Sequence, residues 1–224
     1  MAALKGEARI EEPDRIERAI ARRAAETRAT VPDLELSMDV DAGFLLRTAE
    51  SRRVSTTAVL VAACAAALRE VPRANAAYRD GRFELYARVN VAVTLEGPEG
   101  TASQLPATLF DADSRSVAEL DADLARLRAR ARAGELTAPH QAGATFTLTD
   151  VGEYGIHRAA ALITPPQAAA LTAGAIRAVP VVRDGAVTAG QSLALTLACD
   201  HRILFGTQAA AFLAAIARAL EHAG

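Results

Sequence analysis

Ser192 to Leu220 reads SLALTLACDHRILFGTQAAAFLAAIARAL. Leu193, Leu195, Leu197 and Cys199 alternate with Ala194, Thr196 and Ala198, the period of a strand with one face in a core. Asp200, His201 and Arg202 follow at the strand's exit. Gly206 breaks the pattern and Thr207 is expected to cap the next element. Ala211, Phe212, Ile216 and Leu220 then recur at helical spacing. The stretch therefore predicts a strand, a short polar loop and a helix. A histidine at the end of a buried strand sits on a rigid support with one side open, where a general base can be held in fixed orientation.

Bulk properties narrow the field. The 224 residues carry 25 basic and 27 acidic side chains, a formal net charge of −2, so nothing electrostatic favours nucleic acid or an anionic membrane. Hydrophobic residues make up 51% of the chain, enough for a large core and too many for a disordered chain. No run approaches the roughly 18 apolar residues that span a bilayer. Met1 to Glu12 lacks the basic-then-apolar layout of a signal peptide, which predicts a cytoplasmic protein. Cys64 and Cys199 both lie in apolar stretches and read as buried thiols in a reducing compartment. There is no Cys-x-x-Cys and no histidine pair at ligand spacing, so no metal site is expected.

Outward from the anchor stretch, Glu11 to Arg28 reads as an amphipathic helix with Ile16, Ile20 and Ala24 as its stripe, ended by Pro32. Leu34, Leu36, Met38 and Val40 alternate with polar residues as a strand. Ser55 or Thr56 caps a helix holding Val59, Leu60, Ala63, Ala67 and Leu68, which stops before Pro72. Asp80-Gly81 is a turn, Phe83 and Leu85 begin a strand, and Val89 to Leu95 form another. Glu96 to Gln104 reads as a polar loop. Val117, Leu120, Leu124, Leu127 and Ala131 define a third helix, with Arg126, Arg128, Arg130 and Arg132 as a solvated face. His140, His157 and His222 read as loop or surface residues.

The run Asp200-His201-Arg202-Ile203-Leu204-Phe205-Gly206 resembles the Asp-His-Arg-x-x-Asp-Gly signature of the dihydrolipoamide acyltransferases of 2-oxo acid dehydrogenase complexes, relatives of chloramphenicol acetyltransferase. Phe205 stands where that signature has its second Asp. Five further segments match in the same order. Arg18 to Pro32 is similar to the opening helix, although Asp33 replaces the histidine of its Pro-His. Pro72 to Tyr78 and Val89 to Val93 are similar to later segments. Ala144 to Gly152 resembles Gly-Thr-Phe-Thr-Ile-Ser-Asn-Leu-Gly, and Ile163 to Ala169 resembles Ile-Asn-Pro-Pro-Gln-Ala-Ala. The resemblance runs from about residue 15 to 220 and is densest after Ala144.

The resemblance implies an α/β, chloramphenicol acetyltransferase-like two-layer sandwich, a mixed β-sheet with helices that assembles as a trimer. It implies an N-terminal extension over residues 1–14 and one acyltransferase catalytic domain over 15–224. His201 would be the general base, its ring oriented by a bond to its own carbonyl. Thr149, at the family's serine position, would donate to the oxyanion from a neighbouring subunit. Phe205, Gly206, Arg202, Arg22 and Arg23 would be structural near the site, with Arg22 or Arg23 matching the arginine that pairs the missing Asp. Acetyl-CoA would be a co-substrate, with no permanently bound cofactor. The residues holding coenzyme A are not assigned, and the arginine run offers its phosphates one alternative.

Lys5 is the only lysine and lies in no lipoyl-domain context, which predicts a free-standing homotrimer with an inter-subunit active site. The expected acceptor is a small-molecule alcohol, a hydroxymethyl-tetronate intermediate of polyketide biosynthesis, with no nucleic-acid or membrane partner. Two alternatives stay open: a dihydrolipoamide acyltransferase served by a separate lipoyl protein, and a non-catalytic trimer.

Overall fold

The computed structural model describes residues 6–99, 101, 104–183 and 185–221; Lys5 and His222 lie outside them. Helix α1 (Arg15–Thr30) opens on Asp14, whose carboxylate accepts the Glu17 N–H while the Glu17 side chain returns to the Asp14 N–H. Strand β1 (Asp33–Asp41) follows, then α2 (Gly43–Arg52) and α3 (Thr56–Glu70). A hairpin of β2 (Ala76–Arg79) and β3 (Arg82–Leu85) leads to β4 (Val91–Glu96) and β5 (Gln104–Leu109). Then come α4 (Val117–Arg132), the single turn α5 (Ala138–Gln141), β6 (Phe146–Asp150), β7 (Ala169–Ala173), β8 (Arg177–Arg183), β9 (Ala186–Asp200) and α6 (Gly206–Glu221).

The main sheet runs β1-β9-β7-β6-β4-β5, with β8 paired to the first half of β9. β6 is parallel to β4 and β7, and the other pairs are antiparallel, so the sheet is mixed. Alternation assigns its two faces. Val91, Val93, Phe146, Leu148, Leu171, Leu195 and Leu197 join the core beneath α3, α4 and α6. Phe146 meets Phe212 of α6 edge-on at 5.7 Å, and both are fully buried. The opposite face carries small and hydroxyl-bearing residues, among them Ser37, Thr94, Thr147, Thr149, Thr172 and Thr196. Two pairs of these hydroxyls hydrogen-bond across strands: Ser37 with Thr196 at 3.1 Å, Thr94 with Thr149 at 3.0 Å. Val31, Ala161, Ile163, Ala170 and Ala198 close a second, smaller cluster on that face. This is the two-layer α/β sandwich expected from the sequence.

Several boundaries differ. α1 begins at Arg15, not Glu11, because the capping box fixes its start at Asp14. Its apolar stripe is only half covered, with Ile16 and Ile20 40% and 42% exposed. α2 carries no start signal in the sequence: no side chain caps it and its burial is confined to Leu45 and Ala49. The polar loop ends in β5, which tolerates Pro106 because β5 pairs only with β4. α6 starts at Gly206, one residue before the expected Thr207 cap. The Phe205 carbonyl accepts the Ala209 N–H, and Gln208 Oε1 accepts the Phe205 N–H. Asp80 and Gly81, at φ 48° and 76°, form the left-handed pair that a tight hairpin requires.

Both thiols are buried, and desolvation pushes each up to about 12, so they stay protonated through neutral pH. A thiol reagent at pH 8 should label neither cysteine in the folded protein and both in urea; rapid native labelling would contradict this burial. Replacing Phe212 by Ala should lower unfolding free energy by about 3–5 kcal/mol in a urea titration. A change under about 1 kcal/mol would mean that the Phe146–Phe212 contact does not anchor the helix layer.

Candidate active site

His201 leaves β9 at the edge of the layer, and a dense set of backbone bonds fixes where it stands. Its N–H donates to the Pro32 carbonyl at 2.9 Å, and the Asp200 N–H donates to Ala168 O at 2.8 Å. The Asp200 carboxylate is buried and accepts the Arg202 backbone N–H at 3.0 Å. It also takes the Arg202 guanidinium through Nε at 2.9 Å and Nη2 at 2.6 Å. The N–H groups of Ile203 and Leu204 both turn back to the Asp200 carbonyl. Arg73 donates to the Ile203 carbonyl through Nη2 at 3.0 Å, and its guanidinium lies 3.7 Å over the Phe83 ring. The histidine loop is thus tied at Asp200, His201, Arg202, Ile203 and Leu204.

The His201 ring is exposed and makes no hydrogen bond to another of the described residues. What meets it is Phe205, whose ring stands 6.1 Å away at 82°. Arg22 and Arg23 do not pair with position 205, which offers them no carboxylate. They line the groove between α1 and residues 104–106 of β5, without an ion pair or hydrogen bond among the described residues. Arg202 is held by the Asp200 carboxylate, through Nε and Nη2. Gly206 is the first residue of α6, and an added Cβ there would meet nothing within 4 Å.

Thr149 is the penultimate residue of β6, on the open face. Its cavity is lined by Thr94, Glu96, Gln104, Arg128, Arg132 and Tyr154. Arg128 donates to Thr57 Oγ1 at 3.0 Å, and Thr57 donates to Asp150 Oδ2 at 2.9 Å. Arg132 approaches Glu96 at 3.6 Å. Tyr154 donates its phenol proton to Glu96 at 2.6 Å, and this bond to a carboxylate raises the phenol above its ordinary range. Two of the arginines expected on a solvated face, Arg128 and Arg132, therefore border this cavity, while Arg126, paired to Asp123, and Arg130 are exposed away from it. Sequence alternation put Thr94 and Thr149 on one face of their strands, but only the β4–β6 pairing makes them neighbours.

The register decides how the two halves can meet. Thr149 is opposite Thr172 of β7, and Thr172 is opposite Thr196 of β9. β9 runs the other way, so His201 leaves the sheet at the end where β6 and β7 begin. Two strand spacings across and five residues along place Thr149 and His201 of one chain roughly 19 Å apart. They cannot serve one reacting carbonyl within a single chain. A catalytic pairing needs His201 of one copy and Thr149 of another.

Replacing Asp200 by Ala should remove the hinge of the histidine loop and lower stability by about 2–3 kcal/mol in urea. An unchanged denaturation midpoint would show that the loop does not depend on it.

Comparison with known proteins reports the same architecture. The family model for the catalytic domain of 2-oxoacid dehydrogenases acyltransferase matches residues 5–224. The dihydrolipoyllysine-residue acetyltransferase component of the pyruvate dehydrogenase complex of Rickettsia bellii is 30% identical over 96% of this chain and 53% of its own length. The chain thus spans about half the length of the curated relatives it matches. A probable dihydrolipoamide acetyltransferase from Listeria monocytogenes superposes with a TM-score of 0.89 at 26% identity, covering 97% of this chain and 95% of that one. The dihydrolipoamide acetyltransferase of Azotobacter vinelandii does so with a TM-score of 0.89 at 25% identity, covering 98% and 93%. A chloramphenicol acetyltransferase, at 14% identity and a TM-score of 0.61 over 89% and 94%, shares the fold. The chain belongs to the 2-oxoacid dehydrogenase acyltransferase catalytic-domain family.

Proposed function

We propose that this chain is a dihydrolipoamide acyltransferase that moves an acetyl group between a dihydrolipoyl thiol and coenzyme A. It would act as a homotrimer, with each site shared by two subunits. The observation that carries the reading is a spacing. The Azotobacter vinelandii structure comes from a study of a serine, a histidine and an asparagine in that enzyme's catalytic mechanism, and those three are spaced along their chain as Thr149, His201 and Phe205 are here. The relatives described above are dihydrolipoamide acetyltransferases, which favours a thiol acceptor over the hydroxymethyl-tetronate alcohol expected from the sequence.

In this mechanism the neutral His201 imidazole takes the proton of the attacking thiol as its sulfur meets the thioester carbonyl. The carbon–sulfur bond forms, and the carbonyl oxygen becomes an oxyanion. The Thr149 hydroxyl of the neighbouring subunit donates to that oxygen; loss of one such donor slows acyl transfer about 10²–10³-fold. The intermediate collapses, the other carbon–sulfur bond breaks, and the departing thiolate recovers the proton from the imidazolium. No net charge or redox change occurs, so the reaction needs only the two thiols and the acyl group.

Phe205 does not bar this reading. An Asp four residues beyond the histidine would hold its loop through an ion pair. Here Asp200, Arg202 and Arg73 already hold that loop. The aromatic edge contact adds a wall beside the imidazole, worth about 0.5–1.5 kcal/mol of ring orientation.

Purified protein given acetyl-CoA and dihydrolipoamide should form S-acetyl-dihydrolipoamide and free coenzyme A, detected by product mass, and should lose this activity about 10²–10⁴-fold as His201→Ala. Turnover of a hydroxymethyl-tetronate model alcohol in place of dihydrolipoamide would return the acceptor to an alcohol. Silence with both, and no coenzyme A binding, would leave a non-catalytic homologue. Phe205→Ala should lower kcat several-fold with a melting temperature within a few degrees of the parent; an unchanged kcat would show that the ring does not orient His201.

A further inference from the structure

We propose that Thr94 is a positioning residue for Thr149, donating its hydroxyl proton to Thr149 Oγ1 so that the Thr149 proton is directed at the oxyanion. The two oxygens are 3.0 Å apart across the parallel β4–β6 pair, on the open face of the sheet. Each hydroxyl has a single proton and can accept two bonds. Neither forms another hydrogen bond among the described residues. Pro106, opposite Thr94 on the edge strand β5, offers no competing polar side chain.

Before reaction either threonine can donate to the other. Once the Thr149 proton is committed to the oxyanion, the bond survives in one direction only, with Thr94 as donor. The pair then forms a chain, Thr94 to Thr149 to oxyanion, in which each bond polarises the next. The contact is therefore stronger in the transition state than in the resting enzyme, and its loss falls on kcat. Threonine at 149 also limits the number of side-chain rotamers, and the Thr94 bond selects the one that faces the cavity.

This inference rests on the proposed acyl transfer. It is tested by steady-state transfer from acetyl-CoA to dihydrolipoamide with Thr94→Val, Thr94→Ser, Thr149→Val and the double Thr94→Val/Thr149→Val. Valine keeps the shape and branching of threonine, and equal melting temperatures confirm that the sheet is intact. Thr94→Val should lower kcat about tenfold and leave KM within about twofold. Thr94→Ser should keep the parent rate. In the Thr149→Val background, already down about 10²–10³-fold, removing the Thr94 hydroxyl should change nothing further. A parent-like kcat for Thr94→Val, or the same tenfold loss in both backgrounds, would overturn the role of Thr94 while leaving that of Thr149 intact. A parent-like rate for Thr149→Val would overturn the oxyanion assignment itself.

Discussion

The register of β6, β7 and β9 is the constraint on which the functional account depends. β7 is parallel to β6 and antiparallel to β9, so the two strands that carry Thr149 and His201 deliver them to opposite ends of one sheet. Slipping a strand by one residue would move every side chain to the other face and expose Leu148, Leu171 and Leu197. The core therefore locks the register, and the register separates the two groups. Within each chain the two groups of the proposed site therefore lie apart. The proposed chemistry follows only if copies associate so that one chain's histidine end meets another's threonine end.

The histidine end is rigid for reasons that do not involve Phe205. A buried carboxylate at Asp200 is bound by one guanidinium and one backbone N–H, and its main chain caps the turn that follows. Removing an ion pair and filling its place with an apolar ring is often neutral, because the desolvation of two charges is avoided. Phe205 sets an edge-on ring beside the imidazole, and the loop keeps its ties through Asp200 and Arg73 without a charge at this position.

Much of this was legible in the sequence because local periodicity and local chemistry agree there. β1, β9, α3, α4 and α6 follow from alternation and three-four spacing, and Ser55 caps α3 as its side chain predicts. What escaped depends on neighbours distant in sequence. β5 has no strand signal in the sequence, because Pro106 in its middle is acceptable only on an edge strand. α2 lacks a side-chain cap and packs on two residues. The positions of His201 and Thr149 were visible as motifs. The Thr94–Thr149 pair, the Arg73 tie to Ile203 and the turn of Arg128 and Arg132 into the Thr149 cavity all depend on which elements lie side by side.

The most direct test of a shared site is complementation between two inactive chains. His201→Ala and Thr149→Val proteins, each slowed at least about 10²-fold alone, would be co-expressed with different tags and the mixed oligomers isolated. Whichever mutant is in excess, a mixed trimer has one interface in three at which an intact histidine faces an intact threonine, so the isolated mixed trimers should recover about a third of the parent activity. Recovery no greater than the sum of the two separate proteins would contradict the account, because both groups would then have to act from the same chain.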